Sequence, residues 1–560
     1  MRLRIHASPV SFDNRRHATG AVKLEAIMGT EANRTDNEGH ESNERQRTAA
    51  DYDALPYPSF PYAYLQPGRL AALAMLHGLE PVPVETARVL ELGCAAGGNL
   101  IPLAATYPRA SFLGVDLSQR QIDGGNQRIA QLGLSNIEIR QGDLEHVSFE
   151  RDSFDVILCH GVFSWVPLAV QEAILRICAE SLTPAGLAVI SYNVLPGWHL
   201  RSIVRDICLF HAGSEGTPIE RAEKARHGLI ETARALHDPG PYSTVLRREA
   251  KRIAHSPSAY ILGEFLAETN TAFHFHEFAA RATAKGLSYL CDGSFATSMP
   301  QHLMPAAARQ IKALAGPDPI ALQRQIDIFS GRQFRRSVLV KAAQAPRVSS
   351  VIDLARMRRL HLASNIKVLP ATAGVTSGTF VDGKGRTFTL KDAAIVAAFS
   401  RLATSFPSTA SFSDLLLANG EVQSTAGAET LLARALVHLM GTGRAVISTT
   451  PLMVGRADDP CPCVWPMARI EAASAQHWVT GQNHVGVPPP PAVRHLMPYL
   501  DGSRDRSWIL QFVLSGIRRG DVRFDPPAGS SQVSTDPALL AAQAVDAALD
   551  FLARNALLQV

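Results

Sequence analysis

The chain has no run of about 18 apolar residues, the length that would span a bilayer, although 46% of its 560 residues are hydrophobic. Surplus charge of one sign is also missing. Its 55 Lys and Arg face 51 Asp and Glu, a formal net charge of +4. A dedicated nucleic-acid binder carries a basic stripe or patch, so this balance gives no strong nucleic-acid signal. Cysteine is sparse and odd in number, seven in all. Cys94, Cys159, Cys178 and Cys208 sit in apolar runs as small hydrophobes. A reducing, cytoplasmic compartment is the expectation. Met1-Arg-Leu-Arg4 is not followed by an apolar core, so no secretory signal is read there. Metal-ligand spacing is lacking too. His274-x-His276-Glu277 has no distant partner, and Cys461-Pro-Cys463 with His477 and His484 is wrongly spaced, so no metal is expected.

What is present begins at Val89-Leu-Glu-Leu-Gly-Cys-Ala-Ala-Gly-Gly-Asn-Leu100. An apolar run suited to a buried strand ends in a glycine-rich loop and is followed by a helix pattern. Gly93 and Gly97 permit a sharp turn and close approach to a ligand. No Gly-Lys-Ser/Thr follows, which excludes a Walker loop. The spacing is Gly-x-x-x-Gly-Gly rather than the nicotinamide Gly-x-Gly-x-x-Gly. Glu91, two residues before the first glycine, would repel a pyrophosphate but suits a cofactor with cationic groups, such as S-adenosylmethionine.

Ala110–Asp116 reads as a second strand, and Asp116 falls where an acid holds ribose hydroxyls in a Rossmann-like domain. Ile137–Asp143 reads as a third, ending in Gly142-Asp143-Leu144, the place for an adenine contact. Ser153–Cys159 and Leu187–Asn193 read as the fourth and fifth, the last after a turn at Thr183–Gly186, with helix patterns near 119–132 and 168–182. Alternation of this kind predicts an α/β fold, a parallel Rossmann-like sheet with ligands at the carboxyl ends of its strands.

The length predicts several domains. Residues 1–50 are polar and aperiodic and read as a disordered extension. The α/β domain takes 51–215, and a helical region follows at 216–330. Residues 345–455 mix helices with a hairpin around Asp382-Gly383 and read as winged-helix-like. Residues 456–560 read as a C-terminal helical region.

Several blocks carry a resemblance: Pro56-Tyr-Pro-Ser-Phe-Pro61, Arg69-Leu-Ala-Ala-Leu73, His160-Gly-Val-Phe-Ser-Trp-Val-Pro167, Ser191-Tyr-Asn193 and Pro196-Gly-Trp-His199. With Phe275-His-Glu-Phe278 and Gly286–Leu290 further on, the chain resembles the bacterial class I methyltransferases that carry a methyltransferase regulatory domain. That family includes the rickettsial protein-lysine methyltransferases. The resemblance implies S-adenosylmethionine as cofactor, held by Glu91, Gly93, Gly97, Asp116, Gly142, Asp143 and Leu144. It implies a protein-lysine acceptor, with an outer-membrane or surface protein before export as one expectation, and a homodimer as another. Two rivals stand beside it: methyl transfer to a small molecule, and a non-catalytic cofactor-binding scaffold.

Methyl transfer asks mainly for alignment of nucleophile, methyl carbon and sulfur. A lysine acceptor must also lose a proton, so general-base candidates matter. At the ends of the fourth and fifth strands these are His160, Tyr192 and Asn193. Trp165 and Trp198 are candidates for an aromatic wall beside a cationic side chain, and Tyr57 is a third substrate-binding candidate. The fourth strand ends in Cys159-His-Gly-Val162. Amino-methylating DNA enzymes have Asp/Asn-Pro-Pro-Tyr there, so DNA is not expected as the acceptor.

Overall fold

Strand β1, Arg88–Leu92, is the apolar run before the glycine loop, and Val89 to Leu92 are all buried. Burial on both faces is what a central strand of a parallel sheet requires. In this computed structural model, residues 58–300, 303–370, 377–420, 426–520 and 536–560 are described. Tyr57 and the extension at 1–50 lie outside the described residues.

On one side β1 pairs in parallel with β2, Ser111–Asp116, which pairs with β3, Ile137–Gln141. On the other it pairs with β4, Phe154–Cys159, and β4 with β5, Leu182–Val194. The residues read as a turn at Thr183–Gly186 continue β5, across a register shift against β4. The helices Gln119–Leu132 and Leu168–Ser181 form where their apolar spacing predicts. Ser118 caps the first by accepting from the Gln121 N–H, and Gly133 ends it at φ 64°.

The helical region is an insertion. Helices His199–Ala212, Pro218–Ala235 and Pro241–Ile253 enclose a small core of their own around Val204, Leu229 and Leu246. Beyond them the chain returns to the sheet with β6, Ala272–Phe273, then β7, Leu287–Asp292, and β8, Phe334–Lys341. The sheet order is β3-β2-β1-β4-β5-β8-β7, with β6 against β5, and β8 antiparallel to both its neighbours. Three of its strands thus come from past residue 216, and β8 lies beyond the boundary expected at 330. Short apolar runs such as Leu287–Leu290 have no period that separates a buried strand from a helix.

The hairpin Gly378–Val381 with Thr387–Leu390 turns at Asp382-Gly383 as its sequence predicts. In the last region the helices Pro466–Ala473, Arg506–Arg519 and Pro537–Arg554 accompany a strand pair, Val479–Thr480 with Gly486–Val487. No helix among the described residues is long and apolar enough to cross a membrane.

Candidate active site

The loop after β1 is held by backbone bonds that its sequence makes possible. The N–H groups of Gly93 and Cys94 donate to the Val115 carbonyl at 2.8 and 3.1 Å. Gly93 has φ 76°, and a Cβ there would lie 2.3 Å from Val162 Cγ2, so only glycine fits. Asp116, at the end of β2, accepts from the Ala95 N–H at 2.8 Å and the Ser118 N–H at 3.0 Å. Next to it the Gly142 N–H donates to the Asp116 carbonyl at 2.9 Å. Asp143 Oδ1 accepts from the Glu145 N–H at 2.9 Å, and Leu144 is buried. Glu91, Gly93, Gly97, Asp116 and the Gly142–Leu144 turn therefore meet at the carboxyl ends of β1, β2 and β3.

Glu91 is buried, with Oε1 accepting from Asn99 Nδ2 at 2.9 Å. Its Oε2 has no partner among the described residues. Burial pushes the carboxyl up to about 8, with the Asn99 bond opposing and the Asp116 charge adding to the rise. A carboxyl in this position becomes a good anion only when a cation arrives beside it.

At the end of β4, His160 is enclosed by aromatic rings. Its Nε2 lies 2.9 Å from the Tyr64 hydroxyl, and the Tyr62 and Phe334 rings stand edge-on at 4.2 and 5.6 Å between centroids. The Arg336 guanidinium sits 4.0 Å over the Tyr64 ring. Burial, then the Arg336 charge, pulls the His160 ring down to about 3, so the imidazole is neutral at physiological pH. Its Nδ1 is buried without a partner among the described residues. Asn193, at the end of β5, is buried, and its Nδ2 has no partner among the described residues. Its own N–H donates to Ser164 Oγ at 2.8 Å.

Three family profiles match in order along the chain. "Methyltransferase domain" covers residues 89–186, "predicted methyltransferase regulatory domain" 257–341, and "PKMT, C-terminal winged helix domain" 461–557. The uncharacterized protein RP028 of Rickettsia prowazekii is 38% identical over 240 residues, 43% of this chain and 96% of that protein. The uncharacterized protein RP789 of the same organism is 40% identical over 296 residues, 52% of this chain and 53% of that protein. The chain thus spans about half the length of this second relative. The solved structure of PKMT2 from Rickettsia typhi in complex with AdoHcy matches with a TM-score of 0.78 at 27% identity, over 90% of this chain and 100% of that chain. The chain belongs to the class I methyltransferases that carry a regulatory domain.

Within this methyltransferase the remaining expected site residues fall in different places. Tyr192 is not brought together with His160 and Asn193. Successive strand residues point to opposite faces, and Tyr192 packs into the core, stacked on Phe278 at 4.0 Å with its hydroxyl 2.9 Å from Ser337 Oγ. Trp165 and Trp198 meet edge-on, 6.0 Å apart, and the Arg201 guanidinium lies 5.4 Å from the Trp198 ring. The methyltransferase's own cation therefore occupies part of that aromatic wall. The winged-helix match falls on 461–557, in the part read as helical, not on 345–455. Its strands of two residues each are too short to show alternation in sequence. Sequence reasoning gave no role to Tyr62, Tyr64, Phe334, Arg336 and Asn99, and weighed His484 only as a metal ligand. Tyr62 and Tyr64 carried one usable signal, since they sit beside a proline-rich block. His484 carried none, and its ring Nε2 lies 2.8 Å from Asn99 Oδ1 behind the glycine loop.

Proposed function

We propose that this methyltransferase moves the methyl group of S-adenosylmethionine to the side-chain amine of a protein lysine. One observation carries the reading: an aromatic enclosure of Tyr62, Tyr64 and Phe334 around His160, in a chain resembling PKMT2 over 90% of its length. Aromatic faces accommodate an alkylammonium, and the enclosing rings exclude water.

The cofactor supplies a methyl group activated by the sulfonium's readiness to leave. The fit rests on the buried, unpartnered Glu91 Oε2, which suits a cationic group. Asp116 is the residue for the ribose, and Gly142, Asp143 and Leu144 are those for the adenine. Deprotonating a lysine at pH 7 costs about 4–5 kcal/mol from its reference pKa. Burial and the neighbouring Arg336 charge lower that cost. His160, pulled down to about 3, is too weak a base to take the proton efficiently. Its role is to orient the Tyr64 hydroxyl, while Asn193 offers a buried amide to the acceptor.

A small-molecule acceptor is the second reading, and Arg336 favours it. A guanidinium over Tyr64 is the group that would hold a metabolite carboxylate. Incubation with methyl-labelled cofactor and fractionated lysate separates the two. Label on protein, recovered as methyl-lysine after hydrolysis, is the expected result. Label confined to the small-molecule fraction overturns it.

A further inference from the structure

The methyl-transfer chemistry leaves His484 without a role, yet this side chain from the C-terminal region is buried against the glycine loop. It sits between the short strands Val479–Thr480 and Gly486–Val487, at φ 62°. Burial pulls its ring down to about 3, so it is neutral. The direction of its bond to Asn99 can be fixed. The Tyr62 N–H, which can only donate, reaches Asn99 Oδ1 at 3.2 Å, so this atom is the amide oxygen and Nδ2 donates to Glu91 Oε1 at 2.9 Å. His484 therefore donates from Nε2 to that same oxygen at 2.8 Å.

Two donors on Oδ1 hold the amide in one orientation. If Asn99 flipped, its NH2 would face two N–H groups and its oxygen would face Glu91. With only the Tyr62 N–H left, half of that penalty is gone. The surroundings press the same way. Val485 forms a β-bridge with Tyr62, and Trp478 stacks on Phe60 at 4.1 Å.

We propose that His484 is a positioning residue for the cofactor: from 385 residues down the chain it fixes the Asn99 amide, which fixes the Glu91 carboxyl under the glycine loop. The proposal rests on the reading that this loop holds S-adenosylmethionine. It makes the C-terminal region part of the cofactor site and not only a module for partners.

The test is calorimetric titration of the full chain with S-adenosylhomocysteine. His484→Asn keeps a residue that tolerates left-handed backbone but is too short to reach Asn99. His484→Gln restores an N–H donor at about the original reach. The expected result is affinity weakened roughly tenfold in His484→Asn and restored to within about threefold in His484→Gln, the tenfold loss being about 1.4 kcal/mol. In steady state the Asn variant raises the cofactor KM and leaves the acceptor KM unchanged. Wild-type affinity in the Asn variant overturns the proposal alone. Equal weakening in both variants, following a common drop in unfolding midpoint, also overturns it in favour of a packing role. Absence of binding by the wild-type chain overturns the cofactor reading along with it.

Discussion

Two polar clusters are buried against the same sheet and obey opposite rules. Around β7 and β8, Arg335 is fully buried and its Nε reaches both oxygens of Asp327 at 3.0 and 2.8 Å. Its NH2 donates to the Gln323 carbonyl and side chain at 2.9 and 3.1 Å. Asp292 takes Arg332 at 3.2 Å on one oxygen and the Ser294 N–H at 3.0 Å on the other. Among the described residues, none of these five side chains leaves a buried polar atom without a partner. Around the glycine loop, Glu91 Oε2, His160 Nδ1 and Asn193 Nδ2 are buried with no partner among the described residues. Each such atom costs on the order of 1–3 kcal/mol. A fold keeps that cost where a bound group can supply the missing partners. The closed cluster holds strands together, and the open one is where chemistry is expected.

The comparison can be broken most forcefully at Arg335. Arg335→Met takes from the buried Asp327 its nearest partner and leaves only Arg332 Nε at 3.4 Å, so stability should fall by about 3 kcal/mol in denaturant unfolding. A loss below 1 kcal/mol would remove the closed cluster's structural role. Next comes Asp116→Ala, expected to weaken S-adenosylhomocysteine binding about 100-fold, or about 2.7 kcal/mol, with circular dichroism unchanged. Unaltered affinity by calorimetry would sink the role given to that acid.

Acidification should reach only the open cluster. The folded pKa values of His160 and His484 are pulled down to about 3, below the unfolded value near 6.5. Between those limits the unfolded chain binds more protons, so stability is full above about 6.5 and is lost as pH falls. Linkage sets the loss at about 2 kcal/mol per ring by pH 5. A His160→Gln variant that loses as much unfolding free energy as the wild type between pH 7 and pH 5 would contradict this.

Glu91→Gln should act with the opposite sign. Because the folded pKa is raised to about 8, stability is lost as pH rises from about 4.5 through 8. The neutral isostere avoids that loss and should stabilise the cofactor-free protein at pH 7 by up to about 3 kcal/mol. Destabilisation instead would mean that the two clusters follow one rule.

The glycine loop, Asp116 and the Gly142–Leu144 turn were legible because strand, loop and helix follow one another locally. Tyr192 and Asn193 were harder. Both faces of β5 are buried, so hydrophobicity gave no clue to which neighbour faces the ligand end. The helices of the insertion announced themselves by period, whereas β7 and β8 did not, being apolar runs with no polar face. Tyr64, Arg336 and His484 reach the site only through long-range packing, and no local pattern in the sequence encodes such meetings.

The placement of β8 has a consequence for the order in which the chain can assemble. Residues Ala188–Asn193 of β5 pair with Phe334–Leu339 of β8, and the whole insertion is synthesised in between. At typical elongation rates that interval is roughly ten seconds. During it a long apolar strand has one unsatisfied edge, the kind of edge that recruits other chains. The helices His199–Ala212 to Pro241–Ile253 rest on local contacts and can form within that interval. The nascent chain therefore carries its half-built sheet with that edge open until residue 341 is made, and truncation before β8 should leave it open for good.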